Sequence, residues 1–134
     1  MSEVSDAALL AEAREALERA YAPYSRFAVG AALRARSGRV YRGANVENAS
    51  LSLSVCAERA AVFTAVNAGE REFDAIAIVT RAEEPTPPCG ACRQVLLEFA
   101  PDLTLHLAGR EGQSQSHTLA ELLPLPFRTF RPNP

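Results

Sequence analysis

The chain contains no lysine; all 14 of its basic residues are arginine. That absence excludes Schiff-base chemistry, which needs a lysine amine as nucleophile. No apolar run approaches the ~20 residues that a membrane-spanning helix requires. The opening Met1-Ser2-Glu3-Val4-Ser5-Asp6 has neither the positive start nor the apolar stretch of a secretory leader. No sign of charge dominates: 14 basic residues face 16 acidic ones, for a net −2. A face that draws the protein to nucleic acid is therefore not expected. With 7 glycines and 9 prolines, the composition does not point to disorder. Cysteine is scarce, and three thiols cannot all pair in disulfides. A thiolate metal site fits a reducing cytosol better, so a cytoplasmic protein is expected. What is present is a 48% hydrophobic chain of 134 residues. That suits one domain over residues 1–134 with one core.

Residues 5–21 carry Leu9, Leu10, Ala13, Leu17 and Ala20 at helical spacing, with Ser5 or Asp6 able to cap the start. Pro23 ends that helix. Phe27–Ala35 and Arg39–Val46 then flank Ser37-Gly38, which predicts a β-hairpin. From Cys56 the chain reads as a largely apolar helix that stops at Gly69. Asp74–Val79 predicts a strand covered on both faces. After a proline-rich loop, a helix is expected from Cys89 or Gly90 to Phe99, before Pro101, then a strand over 103–107. Residues 110–117 read as a polar turn, and Thr118 as the cap of a short helix over 119–123. Alternating strands and helices predict an α/β fold with a mixed sheet and helices on both faces.

All three cysteines fall in two segments, Cys56-Ala57-Glu58 and Pro88-Cys89-Gly90-Ala91-Cys92. Three thiolates hold a zinc ion tetrahedrally with the fourth position open, the arrangement of a catalytic site. Glu58, two residues after the first of them, is placed to exchange protons with water at that position. Both segments begin helices, whose positive ends stabilise thiolates. Arg59, three residues past Cys56, shares its helical face and is positioned to offset the charge of a sulfur ligand.

A lone Cys-x-x-Cys is weak evidence, since a redox pair or half of a closed structural zinc site has the same spacing. A redox pair leaves Cys56 and Glu58 unexplained. A closed site needs a fourth ligand. His106 alternates with leucines and His117 sits in the polar stretch, so both read as packing or surface residues.

Cys-Ala-Glu followed by Pro-Cys-Gly-Ala-Cys resembles the zinc-dependent cytidine deaminases, in particular their short, free-nucleoside branch with three cysteine ligands. Pro23-Tyr24-Ser25-Arg26-Phe27, Asn45-Val46-Glu47-Asn48 and Leu122-Leu123-Pro124 extend the resemblance over nearly the whole chain. It implies a three-layer α-β-α fold with about five strands and one Zn²⁺ per chain on Cys56, Cys89 and Cys92. It also implies hydrolytic deamination of cytidine, and of 2′-deoxycytidine, with Glu58 as proton shuttle. By the same resemblance, Phe27 packs on the pyrimidine, Asn45 and Glu47 bind the ribose 3′-hydroxyl, and the Ala57 backbone and a carbonyl near Pro88 contact the base. Arg59 then bonds a ligand sulfur. Phe127 corresponds to an aromatic supplied by a neighbouring subunit, which implies a homotetramer with shared sites. Taken alone, Phe27 reads as core, Asn45 and Glu47 as turn polar residues, Arg59 as a salt-bridge partner, and Phe127 as a tuck into its own core. Leu51 departs from the family's pattern, which has an aromatic there. Rival readings are deamination of another nucleoside-like aminopyrimidine such as blasticidin S, a nucleic-acid editor, or a non-catalytic zinc-stabilised binding module.

Overall fold

The computed structural model describes residues 4–130 and Pro132. The first three residues of the opening stretch, read above as lacking a leader, lie outside the described residues. Helix α1 spans Asp6–Leu17, and the Ser5 side chain caps it by accepting from the Ala8 N–H at 3.1 Å. Strands β1 (Val29–Ala35) and β2 (Val40–Ala44) form the expected hairpin, with Gly38 at φ 94° in its turn. Each strand is shorter at its outer end than the sequence pattern implies. Residues 24–28 are diverted by a turn that holds Arg26 at φ 58°. Beyond Ala44, the Asn45 N–H still reaches the Val29 carbonyl at 3.3 Å, while its side chain bonds the Val29 N–H and the Phe27 carbonyl.

After a 3₁₀ turn at Leu51–Leu53, helix α2 runs Ala57–Asn67 with Cys56 as its N-cap. Strand β3 (Phe73–Thr80) is followed by helix α3 (Gly90–Phe99), strand β4 (Thr104–Ala108), strand β5 (Ser114–Thr118) and the short helix α4 (Leu119–Leu122). Strand β5 corrects the sequence expectation: residues 114–118 pair with β4 rather than forming a polar turn, and His117 stands in that strand. Its Ser-Gln-Ser-His-Thr sequence shows no apolar alternation because it is a mostly exposed sheet edge. Thr118 caps α4 as expected, in a reciprocal capping box with Glu121.

The sheet has the order β2-β1-β3-β4-β5. Only β3 and β4 are parallel, joined through α3; the other neighbours are antiparallel. Residues alternate along β1 and β3 between two cores. Ala32, Ala75, Ala77 and Val79 pack with Leu9 and Ala13 of α1 on one face. Ala31, Leu33, Ile76 and Ile78 pack with Ala61 and Val62 of α2 and with Leu96 of α3 on the other. The three layers are therefore α1, the sheet, and α2 with α3, as expected for the α/β reading. Central β3 is buried along almost its whole length, which explains its continuous apolar sequence.

Two glycines set the layer spacing. A Cβ on Gly30 would lie 2.1 Å from the Ala13 carbonyl of α1. One on Gly43 would lie 2.4 Å from the Ala57 carbonyl in the first turn of α2. The α2 N-terminus thus rests directly on the backbone of β2, and that close approach sets its depth over the sheet.

Candidate active site

Helices α2 and α3 begin side by side beyond the C-terminal end of β3, where a crossover α/β sheet opens a crevice. Cys56 and Cys89 are the two N-caps, and Cys92 lies one turn into α3. All three Sγ atoms lie within 4.8 Å of one another, Cys89 and Cys92 at 3.4 Å. Tetrahedral Zn–S bonds of about 2.3 Å need sulfurs roughly 3.8 Å apart, so the donor set fits the ion in type and in reach. Cys92 is fully buried, Cys56 partly and Cys89 exposed. Neither histidine belongs to the group. His106 bonds Ser116 Oγ at 2.8 Å through Nδ1, and His117 pairs with Glu121 at 3.6 Å.

Arg59 donates from Nη2 to Cys56 Sγ at 3.2 Å, as its spacing predicts. Its Nε is buried and finds no hydrogen-bond partner among the described residues. The Cys56 thiol is pulled down to about 5, first by a hydrogen bond from Cys92 and then by the Arg59 guanidinium. The same sharing pushes the Cys92 thiol well up, because its proton serves Cys56. Burial pushes the Glu58 carboxyl up to about 7; its own backbone N–H opposes this, the nearby Cys56 sulfur adds to it, and Arg59 opposes it again. A 5%-exposed carboxyl facing a sulfur cluster is suited to hold a proton and to release it.

These groups border a cavity of about 300 Å³, lined by Phe27, Asn45, Glu47, Cys56, Ala57, Glu58 and Cys89 among others. The structure thus brings together every sequence-expected site residue around the cavity except Arg59, which sits behind Cys56, the buried Cys92, and Phe127. Phe127 is 66% exposed, and its carbonyl accepts from Gln94 Nε2 at 2.6 Å. It packs into neither this cavity nor the core of its own chain. Leu51 is also 66% exposed and lies outside the cavity lining. The Pro88 carbonyl already accepts from Arg93 Nε at 2.8 Å, which fixes its direction beside Cys89.

The lining also includes Ser25, Val29, Ile78, Thr80, Thr86 and Pro87, which the sequence did not single out as site residues. Val29 and Ile78 read simply as strand core. Thr80 is 1% exposed, and its Oγ1 lies 3.2 Å from Thr86 Oγ1, pinning the loop that leads to Cys89. No sequence pattern pointed to that contact, because Thr80 lies one residue past the strand expected over Asp74–Val79. Ser25 was visible inside its sequence motif without an assigned role.

Sheet, helix ends, sulfur cluster and buried carboxyl together define a zinc-binding hydrolase of the α/β class. Similarity to known proteins narrows this to a family. The model of the cytidine and deoxycytidylate deaminase zinc-binding region matches residues 3–106. A cytidine deaminase of Halalkalibacterium halodurans is 52% identical over 89% of this chain and 91% of its own. A cytidine deaminase of Sporosarcina psychrophila is 48% identical over 89% of this chain and 88% of its own. The crystal structure of cytidine deaminase from Burkholderia pseudomallei superposes with a TM-score of 0.89 at 48% identity, covering 92% of this chain and 99% of that one. The chain belongs to the cytidine and deoxycytidylate deaminase zinc-binding family.

Proposed function

We propose that the protein catalyses hydrolytic deamination of cytidine, and of 2′-deoxycytidine, to uridine or 2′-deoxyuridine plus ammonia, in pyrimidine salvage. The observation that carries this reading is the three-sulfur cluster beside a buried glutamate on an open cavity. Bound to Cys56, Cys89 and Cys92, zinc supplies Lewis-acid activation of a water at neutral pH.

The chain's own residues do the rest. Glu58 takes a proton from the attacking water and delivers it to ring N3, which makes C4 electrophilic. Oxygen adds at C4. Glu58 then moves the second proton to the amino nitrogen, and the C4–N bond breaks to release ammonia. One carboxyl acts first as base and then as acid, and its buried place on the cavity beside the sulfur cluster puts it within reach of both transfers. Phe27 supplies an apolar face for the pyrimidine, and the α2 backbone at Ala57 meets the base edge. Asn45 and Glu47 stand at the sugar end. An amide with a carboxylate suits a neutral diol and repels a 5′-phosphate, so a free nucleoside is the substrate class.

We further infer that chain 1–134 forms one domain, acts in the cytoplasm, and assembles as a homotetramer in which Phe127 enters a neighbouring site. Supporting the assembly are Leu51, Leu53, Phe63, Leu125 and Phe127, large apolar residues left exposed. No helix among the described residues is long and apolar enough to cross a membrane. A net charge of −2 gives no draw toward nucleic acid. The blasticidin-type reading is not favoured because the cytidine deaminases reach 52% and 48% identity against 33% for a blasticidin-S deaminase. The binding-module reading is not favoured beside a glutamate that a structural zinc site would not use.

The test is the fall in ultraviolet absorbance when purified protein meets cytidine, run alongside Glu58→Gln and a chelator-treated sample. Conversion to uridine, lost in both controls, is the expected result. Inactive wild-type protein that still binds one zinc per chain would overturn the substrate assignment.

A further inference from the structure

The loop that carries Phe27 is held by a hydrogen-bond network more extensive than a surface loop needs. The Glu47 carboxylate accepts from the Tyr24 N–H and the Ser25 N–H, each at 3.0 Å, through Oε1. Its Oε2 accepts a short bond from the Ser25 hydroxyl. That hydroxyl oxygen in turn accepts from the Phe27 N–H at 3.0 Å. From the other side, the Asn45 amide donates to the Phe27 carbonyl at 2.8 Å and accepts from the Val29 N–H at 2.9 Å. Both backbone polar groups of Phe27 therefore terminate on the Asn45-Val46-Glu47 segment, one directly and one through Ser25.

Within this ring, Arg26 takes φ 58°, a conformation that non-glycine residues adopt only when their surroundings impose it. The Glu47 anchors supply that constraint. The Ser25 hydroxyl holds the Glu47 carboxyl below its ordinary value, followed by the Ser25 N–H, so the carboxylate stays an acceptor throughout the neutral range.

We propose that Ser25 is a positioning residue for the base platform: its hydroxyl joins the Glu47 carboxylate to the Phe27 backbone and sets the Phe27 ring over the cavity. This rests on the deaminase reading for its substrate. It adds that Glu47 and Asn45, besides facing the sugar, act on the base through Phe27. Exposure of Ser25 itself does not matter, because what counts is the chain of bonds it closes.

The test compares kcat/KM of wild type and Ser25→Ala on cytidine and on 3′-deoxycytidine, which lacks the hydroxyl at the sugar end. Hydrogen bonds to charged groups set the expected loss at about tenfold, mainly in KM. If Ser25 acts through Phe27, the loss persists on both substrates and nearly vanishes when Ser25→Ala is added to Phe27→Ala. Ser25→Thr, which keeps the hydroxyl, recovers most of it. A loss confined to cytidine would mean that Ser25 serves only the sugar contact, and a loss undiminished in the Phe27→Ala background would mean it acts elsewhere; either result overturns the proposal.

Hydrogen–deuterium exchange of the 22–29 segment provides a readout that needs no turnover. Ser25→Ala is expected to exchange faster there with the rest of the chain unchanged. Unaltered exchange overturns the proposal whatever the substrate proves to be. Wild-type inactivity on both nucleosides, with faster exchange in the variant, overturns the deaminase reading alone.

Discussion

At the scale of single residues, the site separates what binds from what reacts. Glu58 is buried and sits on the cavity, whereas the sulfurs stand at helix ends that need no contribution from it. Glu58→Gln is therefore expected to retain one zinc per chain by elemental analysis while kcat falls by about 10²–10⁴, the range of a positioned acid–base group. Arg59 predicts a different pattern. It donates to Cys56 Sγ and lowers that thiol, so Arg59→Met removes a counter-charge from the cluster. Zinc affinity, measured by competition with a chromogenic chelator, should drop by about 10- to 100-fold, and the thermal midpoint of the zinc-loaded protein should fall with it, because a more weakly held ion stabilises the folded state less. Cysteine, glutamate and arginine were legible in the sequence because their chemistry depends on spacing along two helices. Ser25, Thr80 and Thr86 were not. Their roles depend on loop paths, and no short-range pattern encodes which backbone N–H a hydroxyl will meet.

At the scale of elements, the close approaches at Gly30 and Gly43 argue most strongly about stability. Adding one methyl at either position puts a carbon far inside contact distance of helix backbone, which cannot yield as a side chain would. Gly30→Ala and Gly43→Ala should each cost several kcal/mol, on the order of 2–4, read as a drop in thermal midpoint. Gly43→Ala should also lower kcat, because the helix it displaces carries Cys56 and Glu58; Gly30→Ala presses on α1 and should leave kcat nearer wild type. Glycine inside a strand points to a close backbone approach or a bulge, and the sheet shows which layer each of these two admits. Strand β5 is the opposite case. Its polar residues are an edge solution that resembles a turn in composition, so only the register against β4 identifies it.

Glu70, in the loop that follows α2, adds a pH-dependent tie to the hairpin. Bonds from the Ser37 hydroxyl, then the Tyr41 hydroxyl, hold its carboxyl below the ordinary 4.5. A depressed folded-state value contributes stability that is complete above about pH 4.5 and lost as pH falls through the folded value. The midpoint difference between wild type and Glu70→Gln should accordingly be constant from pH 6 to 8 and shrink as pH drops from 4.5 toward 3. A difference that stays constant over that acid range would remove Glu70 from the account.

At the scale of the whole molecule, the cavity is bounded by one chain on most sides, yet the aromatic expected from the C-terminal segment does not reach it. Phe127 lies outside the cavity of its own chain and outside its own core, while Leu125 beside it is fully exposed. A residue of this size left in water by its own fold is accounted for if a second copy receives it. Mixing two inactive proteins decides the point. Glu58→Gln keeps Phe127 but lacks the proton shuttle; Phe127→Ala keeps the shuttle but lacks the ring. If each site is shared, dissociating and reassembling an equal mixture creates sites that take Glu58 from one variant and Phe127 from the other. Activity should then return to about a quarter of wild type, the fraction of random pairings that complete a site. If Phe127 serves only its own chain, every Glu58 remains in a chain that lacks the ring, and reassembly restores nothing. Light scattering of the same mixture gives the number of chains in the assembly, expected to be four.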